Sequence, residues 1–212
     1  MNSPLLARSL TRLLAVVTIP YLLGSIPTGY WLGKWWKGVD VRRHGSGNFG
    51  ATNVFRVLGK VPGSITLCAD ILKGAAPVLA AQKLFPDSIA LALAAGLAAI
   101  LGHTLSIFMG FRGGKGVATA AGAFAALLPL PSGIAFVTFM VCLALTRFVS
   151  VSSMLGSLAL AAAALTTSTV PLLSYAAAAV ACLVIWKHRG NLRRLRQGTE
   201  PRVAWRKHAA PG

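Results

Sequence analysis

Acidic residues are scarce in this 212-residue sequence, which has four Asp and Glu beside 21 Lys and Arg. Charged residues of either sign make up only 12% of the chain, about half the fraction that is usual in soluble domains. The apolar fraction is 55% and the mean hydropathy is +0.68, which excludes a disordered basic tail, because such segments are poor in apolar residues. These figures indicate a polytopic membrane protein whose cations lie at its edges.

Cysteine is also sparse and shows no pattern. Cys68, Cys142 and Cys182 are scattered through apolar stretches, without the spacing of a disulfide framework or a metal site. A free cysteine behaves as a small hydrophobic residue. The sequence therefore predicts three small, buried thiols.

Long apolar runs dominate the rest of the chain. A spanning helix needs about 20 mostly apolar residues, because only a helix satisfies its own backbone inside lipid. Arg8 and Arg12 precede the first run, which has no clear cleavage site and is interpreted as a retained span. The predicted spans are Leu13–Gly33, Val61–Gln82, Ser88–Phe108, Val117–Leu130, Ser132–Thr146, Ser152–Val170 and Leu172–Trp186.

The fourth and fifth runs are short and are separated by Pro129 and Pro131. These runs could form two spans joined by a tight turn or one broken re-entrant element. We favour two spans. The predicted fold class is therefore an all-α membrane protein, a polytopic bundle of about seven transmembrane helices.

The basic residues support this count. With seven spans, seventeen Lys and Arg fall on one side of the membrane and three on the other, with Lys73 inside a span. The positive-inside rule then predicts an external N-terminus and a cytoplasmic C-terminal tail. Nucleic acid is not a predicted partner, because the charge is divided among short loops without a recognition helix or stacking platform. Part of this charge meets anionic membrane lipid.

The first cytoplasmic loop contains the glycine-rich segment Gly45–Arg56. Glycines allow a ligand to approach the backbone closely, and successive N–H groups can cradle a phosphate. The segment formally matches G-x-G-x-x-G, but no buried strand precedes it, and Asp70 lies in a span. A dinucleotide site is therefore rejected, while a flexible connector and an anion site both remain open.

The second cytoplasmic loop reads Phe111–Thr119 and lacks the spacing of a Walker P-loop. Gly113, Gly114 and Gly116 surround Lys115, and the segment leads into the fourth predicted span. Backbone donors, an ammonium group and a helix N-terminus would then face the same interface. Two glycine-rich basic loops on one side favour anion binding over a flexible turn.

The third polar segment is Lys187–Glu200, in which His188 and Asn191 can share one helical face at the mouth of the bundle. Among the serines of the preceding cytoplasmic loop, Ser150, Ser152 and Ser153, we expect a cap for the sixth helix.

Asp70 and Lys73 lie three residues apart within the second predicted span. Ionisable residues inside a membrane are costly and mark polar contacts with a structural or functional role. We expect this pair to support the first loop from below rather than to act in catalysis.

The segments Gly45–Arg56, Gly102–Thr119 and His188–Glu200 together resemble, in order and spacing, the three signature segments of the acyl-phosphate:glycerol-3-phosphate acyltransferase family (PlsY). The resemblance runs from Tyr21 to Glu200. It implies a seven-span enzyme of the bacterial inner membrane that transfers a fatty acyl group from acyl phosphate to the 1-hydroxyl of sn-glycerol 3-phosphate. The products would be lysophosphatidic acid and phosphate, in phospholipid biosynthesis.

We predict one membrane acyltransferase domain over residues 1–200 and a basic cytoplasmic tail over 201–212. The positive-inside arrangement predicts a periplasmic N-terminus and a cytoplasmic active site. The interpretation includes no metal and no cofactor, and it leaves the oligomeric state open, with a monomer as one option. The partners would be acyl phosphate, glycerol 3-phosphate and membrane lipids.

The site residues implied by the resemblance fall into three groups. The catalytic group is Ser46, Arg56, Lys115, His188 and Asn191. The phosphate-binding group is Gly45, Gly47, Asn48, Asn53, Gly113, Gly114, Gly116, Thr119 and Ser153. The supporting group is Asp70, Lys73 and His103.

The chemistry needs no covalent acyl-enzyme, because acyl phosphate is a mixed anhydride with a good leaving group. No histidine is followed by the aspartate of an H-x-x-x-x-D motif, since Phe49, Phe108 and Arg193 stand at the three testable positions. The base would be the donor's own phosphate or, as the less favoured option, His188. The alternatives are a membrane transporter of phosphate or an organic anion and a purely structural membrane subunit.

Overall fold

The computed structural model describes the backbone of residues 3–203 and the side chains of residues 11–203. Its α-helices are α1 Ser3–Ser25, α2 Thr28–Lys37, α3 Ala51–Leu58, α4 Lys60–Leu84, α5 Ile89–Thr104, α6 Val117–Leu127, α7 Pro129–Thr146, α8 Val149–Thr167, α9 Pro171–Lys187 and α10 Arg189–Arg196. Short 3-10 helices occupy Val41–Arg43 and Ile107–Met109. Regular structure in the described range is helical throughout, which confirms the predicted all-α fold class. The basic side chains of Arg8, Arg206 and Lys207 lie outside the described residues.

Helices lie at all seven predicted spans, but their lengths differ. Five segments of the described chain are long and apolar enough to cross a membrane: Thr11–Lys37, Lys60–Leu84, Ile89–Met109, Pro129–Thr146 and Val149–Thr167. Helices α9 and α10 add a sixth if they count as one span bent by 51°.

The fourth predicted span corresponds to α6, which has 11 residues and ends at Leu127. At about 1.5 Å per residue it covers roughly half of a bilayer core. The helix stops before Pro129 because the residue that precedes a proline is forced away from helical backbone angles. A polytopic membrane protein is confirmed, whereas the count of seven spans stays a prediction.

The described chain divides into two compact units that part between Pro129 and Leu130. In the first unit, α1 packs against α5, α4 packs against α5 and α6, and α3 packs against α4. In the second unit, α8 packs against α9, and α10 contacts the end of α9. The single domain over residues 1–200 stays a prediction, and residues 204–212 of the predicted tail lie outside the described residues.

Helices α4 and α6 approach each other through small residues. A Cβ atom on Gly74 would collide with the carbonyl oxygen of Thr119, and one on Gly122 would collide with that of Ile71. Inside lipid the hydrophobic effect does not drive helices together, so close backbone packing of this kind contributes much of the association. This contact holds the start of α6 against the middle of α4.

The first predicted span, Leu13–Gly33, lies within the apolar segment Thr11–Lys37, and the structure interrupts its helix at Ile26 and Pro27, between α1 and α2. Proline removes a backbone donor and clashes with the preceding turn, so carbonyl groups before it lose their helical partners. The hydroxyl of Ser106 donates to the carbonyl oxygen of Ser25 at 2.5 Å. The ammonium of Lys73 donates to the carbonyl oxygen of Ile26 at 3.1 Å.

The predicted pairing of Asp70 with Lys73 is confirmed. Lys73 Nζ lies 2.8 Å from Asp70 Oδ1, and both side chains are buried within α4. The same carboxylate oxygen lies 3.7 Å from Nδ1 of His103 on α5. One buried cluster therefore links α4, α5 and the broken first span.

The cysteine prediction is partly wrong. Cys142 is buried, but Cys68 and Cys182 are exposed on the outer faces of their helices. A thiol suits a lipid-facing surface as well as a protein core, because both environments are apolar. Burial inside the protein therefore does not follow from an apolar sequence context in a membrane protein.

The substitution Lys73→Met should destabilise the protein by about 3–5 kcal/mol, because it leaves the Asp70 carboxylate buried and unpaired. It also removes the donor to the Ile26 carbonyl. Thermal unfolding in one detergent measures the loss. The double substitution Lys73→Met with Asp70→Asn is the control and should lose less, and equal losses in both variants would contradict the role given to the pair.

Candidate active site

The first glycine-rich turn is organised by one buried amide. The side chain of Asn53, in the first turn of α3, donates to the carbonyl oxygens of Val41, His44 and Asn48 at 2.9, 3.0 and 2.7 Å. Its Oδ1 accepts a hydrogen bond from the backbone N–H of Ser46 at 2.8 Å. The chain from Val41 to Asn48 therefore wraps around a single side chain.

These bonds change the role expected of Asn53. Its amide donors serve the turn, which favours positioning over direct phosphate contact. Gly45 has a φ of 60°, and a Cβ atom there would collide with Asn53 Oδ1, so the turn also requires glycine at this point. Oδ1 of Asn48 accepts from the N–H of Gly50 at 2.7 Å, and Gly50 is the N-cap of α3.

The catalytic candidates of this turn remain accessible. Ser46 is half-buried, whereas Arg56 is exposed on α3. Gly47 is also exposed, so the backbone of the turn can be reached from outside the protein. The turn thus combines a fixed backbone shape with a nearby cation.

An ion pair fixes the entrance to this turn. Asp40 accepts the backbone N–H of Arg42, and its carboxylate lies 2.8 Å from the guanidinium of the same residue. The hydrogen bond from Arg42 lowers the pKa of Asp40 to about 2. The guanidinium also lies over the ring of Tyr30, 4.6 Å from its centroid, and tethers the loop to α2.

The second glycine-rich turn passes directly against His103. The N–H of Gly114 donates to the carbonyl oxygen of His103 at 2.9 Å. A Cβ atom on Gly113 would collide with that oxygen, and one on Gly114 would collide with the imidazole Nε2. The close approach explains why two adjacent glycines are needed here.

This turn leads into α6, which begins immediately after Gly116. Lys115 is half-buried, and the Thr119 hydroxyl is fully buried in the first turn of α6. Thr119 Oγ1 has no hydrogen-bond partner among the described residues. A ligand or an ordered water is the usual partner for such a group.

His103 joins the two turns of the first unit. Its ring meets that of Phe49 edge-on, with 5.9 Å between centroids, and Phe49 belongs to the first turn. Its carbonyl holds Gly114 of the second turn, and its Nδ1 faces Asp70. The structure therefore brings both predicted anion turns onto one buried histidine, which itself rests on the Asp70–Lys73 pair.

The second unit contains the remaining candidates. His188 is buried between α9 and α10, and its Nδ1 lies 2.7 Å from the carbonyl oxygen of Val184. A carbonyl can only accept, so Nδ1 carries the hydrogen in this contact. Asn191 is buried in α10, as the shared helical face predicts.

Glu200 is the organising residue that the sequence did not reveal. Its carboxylate accepts hydrogen bonds from Ser150 Oγ at 2.8 Å, Asn191 Nδ2 at 2.6 Å and Arg194 Nε at 2.8 Å. Burial would raise the pKa of Glu200, but these donors and the Arg194 charge outweigh it and lower the pKa. The only available signal was an isolated acid in a strongly basic segment.

The predicted serine cap is wrong. Phe148 precedes α8, and no side chain caps the helix there. Ser150 instead binds Glu200, and Ser152 donates to the Phe148 carbonyl oxygen at 2.9 Å. Ser153 is buried in the same turn. The Ser150 hydroxyl donates to the carboxylate of Glu200, because a charged acceptor forms a stronger hydrogen bond than a neutral one.

The candidates thus form two groups, each organised within its own unit. The first unit contains Ser46, Arg56 and Lys115, together with the glycines and the supporting residues. The second unit contains His188, Asn191 and Ser153, to which the structure adds Glu200.

Comparisons with known proteins give the same family across nearly the whole chain. The sequence profile of the family described as "Glycerol-3-phosphate acyltransferase" matches residues 14–198. A Geobacter sulfurreducens protein of that name is 47% identical over 190 residues, which cover 89% of this chain and 96% of that protein. A Myxococcus xanthus protein of the same name is 46% identical over 192 residues, covering 89% and 98%.

Solved structures agree. The crystal structure of PlsY (YgiH), an integral membrane glycerol 3-phosphate acyltransferase, in its glycerol 3-phosphate form matches with a TM-score of 0.86 and 38% identity. The match covers 91% of this chain and 96% of that one. The lysophosphatidic acid form of PlsY matches with a TM-score of 0.83.

Bilayer-length helices define the class of this molecule as an integral membrane protein of several spans. The chain belongs to the glycerol-3-phosphate acyltransferase family and is an acyltransferase enzyme. The family predicted from the three signature segments is confirmed.

The substitution Asn53→Asp should unfold the first turn, because it removes the donors that face three carbonyl oxygens and replaces them with a carboxylate. We expect a loss of about 3 kcal/mol or more in the free energy of unfolding. Asn48→Asp is the matched control, since a carboxylate can still accept from Gly50. Thermal unfolding in detergent compares the two, and equal destabilisation would contradict the role given to Asn53.

Glu200 should make stability depend on pH in the acidic range. Because its folded pKa lies below its usual value of 4.5, the carboxylate stabilises the fold above that pH. The stabilisation is lost as the pH falls through the folded pKa. Thermal midpoints recorded from neutral to acidic pH should therefore fall below 4.5 in the wild type.

The variant Glu200→Gln should begin with a lower midpoint and lose less on acidification than the wild type, with a remaining loss below a pH of about 3.8 from Asp40, whose pKa is lowered to about 2. Parallel pH curves for the two proteins would show that Glu200 does not carry the effect.

Proposed function

We propose that this enzyme transfers a fatty acyl group from acyl phosphate to the 1-hydroxyl of sn-glycerol 3-phosphate and releases lysophosphatidic acid and phosphate. The observation that carries the proposal is the junction of two basic, glycine-rich turns on His103. Family membership supports the acyl acceptor, since related structures are described in glycerol 3-phosphate and lysophosphatidic acid forms. The acyl phosphate donor rests on the resemblance of the three signature segments.

In this mechanism the cations bind charge rather than attack the substrate. Lys115 and Arg56 hold the substrate phosphates together with N–H groups of the two turns, other than those that donate within the protein, which belong to Ser46, Gly47, Gly50 and Gly114. They also stabilise the charge that develops on the carbonyl oxygen and on the departing phosphate. Ser46 serves as a ligand to a phosphate or hydroxyl group and not as a nucleophile.

The bond changes balance without an acyl-enzyme. The 1-hydroxyl oxygen of glycerol 3-phosphate attacks the acyl carbon, and the bond from that carbon to the phosphate oxygen breaks. The donor's own phosphate takes the hydroxyl proton as it departs. His188 is the alternative base, and because its Nδ1 donates to Val184, it would take the proton at Nε2.

The catalytic residues that the family resemblance implies in the second unit are His188 and Asn191, with Ser153 as a phosphate ligand. The carboxylate of Glu200 accepts a hydrogen bond from Nδ2 of Asn191. Because this bond is charge-assisted, it fixes the orientation of the whole amide, including the direction of Oδ1. Asn191 therefore enters the reaction pre-positioned, and Glu200 is a positioning residue.

The distribution of cations supports a placement in the bacterial inner membrane. Seventeen of the basic residues lie on one side in the seven-span arrangement, which places both glycine-rich turns and the tail in the cytoplasm. The N-terminus is then periplasmic. Labelling of single cysteines introduced at Gly38 and Asp87 with an impermeant thiol reagent, in a variant without native cysteines, would test this arrangement.

A transporter of phosphate or an organic anion would also need charged or broken helices within the membrane. The structure has both, in the break at Pro27 and the Asp70–Lys73 pair. However, Lys73 donates a hydrogen bond to the carbonyl of Ile26, at the helix break. The break and the ion pair are therefore explained as parts of one structural contact, without a transport pathway.

Purified enzyme in detergent should release phosphate only when acyl phosphate and glycerol 3-phosphate are both present. Formation of lysophosphatidic acid from acyl-coenzyme A, with none from acyl phosphate, would disprove the proposed donor while leaving the family intact. Uptake of phosphate into sealed liposomes without chemical turnover would favour the transporter.

The substitutions Lys115→Ala and Arg56→Ala should each lower kcat/KM for glycerol 3-phosphate by about 100-fold or more, because each removes a preorganised charge from the transition state. Lys60→Ala is the matched control, since Lys60 is an exposed cation outside the two turns. Steady-state phosphate release measures all three variants, and normal kinetics in Lys115→Ala and Arg56→Ala would remove the proposed anion site.

A further inference from the structure

Helix α10 carries a row of cations on its outer face. Arg189, Arg193 and Arg196 are spaced four and three residues apart, so they share one side of α10, and Trp186 lies three residues before Arg189, near the end of α9. All four are exposed. We name Trp186, Arg189, Arg193 and Arg196 the outer arginine face.

The opposite side of α10 faces the protein and forms hydrogen bonds within it. Asn191 is buried there, and both Asn191 and Arg194 bind Glu200. The carboxylate of Glu200, the acid closest in sequence to α10, is therefore bound by the inner side of the helix. The outer arginine face keeps its positive charge for a partner outside the protein.

The position of Trp186 indicates what that partner is. It lies near the end of α9 and is 55% exposed, and the guanidinium of Arg189 stacks 4.5 Å from its ring centroid. Exposed tryptophan at the end of an apolar helix is typical of the headgroup region of a bilayer. The outer arginine face thus begins at the membrane surface.

The bend between the helices keeps the face near that surface. Helix α10 turns by 51° from the axis of α9, so it does not continue straight into the aqueous phase. Short helices with one basic face and an apolar or protein-bound opposite face often lie along the headgroups. Clusters of Lys and Arg immediately beside a spanning helix bind anionic lipids.

We propose that the outer arginine face binds the headgroups of anionic phospholipids. The geometry favours lipid over an acidic soluble protein, because Trp186 places the cations at the depth of the headgroups. This proposal depends on the membrane placement of α9 and not on the acyl donor or acceptor. It concerns residues outside the candidate active site.

The test uses Trp186 as a local reporter. A variant with Trp31, Trp35, Trp36 and Trp205 replaced by phenylalanine is reconstituted in mixed vesicles of phosphatidylcholine and phosphatidylglycerol. One lipid at a time is brominated, because a bromine atom on the acyl chain quenches tryptophan fluorescence on contact. The ratio of quenching by the two lipids gives the relative association constant at Trp186.

We expect phosphatidylglycerol to be preferred and the preference to fall in Arg193→Gln with Arg196→Gln, by roughly fivefold for each arginine removed. The charge-preserving pair Arg193→Lys with Arg196→Lys should retain it. The control Lys34→Gln with Lys37→Gln removes two exposed cations from α2, so it should leave quenching of Trp186 unchanged. Thermal unfolding of each variant in detergent shows whether it is folded.

Two results would overturn the proposal. One is equal quenching by the two lipids in the protein that retains its arginines. The other is an unchanged lipid preference in the glutamine variants together with weaker binding of an acidic soluble protein, which would assign the face to that class of partner.

Discussion

The buried pair of Asp70 and Lys73 is the interaction on which the first unit depends. Lipid offers no hydrogen-bond partners, so the carbonyl of Ile26, at the break between α1 and α2, needs donors from the protein. The backbone N–H of Thr28 and the ammonium of Lys73 supply them, and Asp70 neutralises Lys73 at 2.8 Å. The same carboxylate faces His103, which contacts both glycine-rich turns. A costly ion pair inside the membrane thus connects a helix break to the candidate active site.

The scarcity of acids gives each one an organising role where the structure shows its contacts. Asp70 supports the first unit, and Glu200 gathers Ser150, Asn191 and Arg194 in the second. Asp40 holds Arg42 at the entrance to the first turn. A carboxylate attracts several donors at once, so in a cation-rich chain a single acid can order a whole segment.

Hydropathy predicted where helices occur, because an apolar run of sufficient length has few alternatives in lipid. It did not predict the break at Ile26 and Pro27 or the short length of α6, since both depend on which tertiary contacts satisfy the released backbone. The Asp70–Lys73 pair was predictable from its three-residue spacing. The roles of Asn53 and Glu200 were not, because hydrogen bonds to Val41 and Ser150 cross distances in sequence that no helical or strand period connects.

The amino-acid sequence alone determined the membrane class, the helical fold and the family, because composition, apolar run length and the order of the three signature segments are properties of the chain itself. Only the tertiary structure decided which polar groups satisfy one another. It placed Asn53 at the centre of a turn, joined Ser150 to a carboxylate instead of a helix N-terminus, and placed His103 where both turns meet. The reason is physical: a buried donor takes the acceptor that folding brings near, and that choice is made in three dimensions.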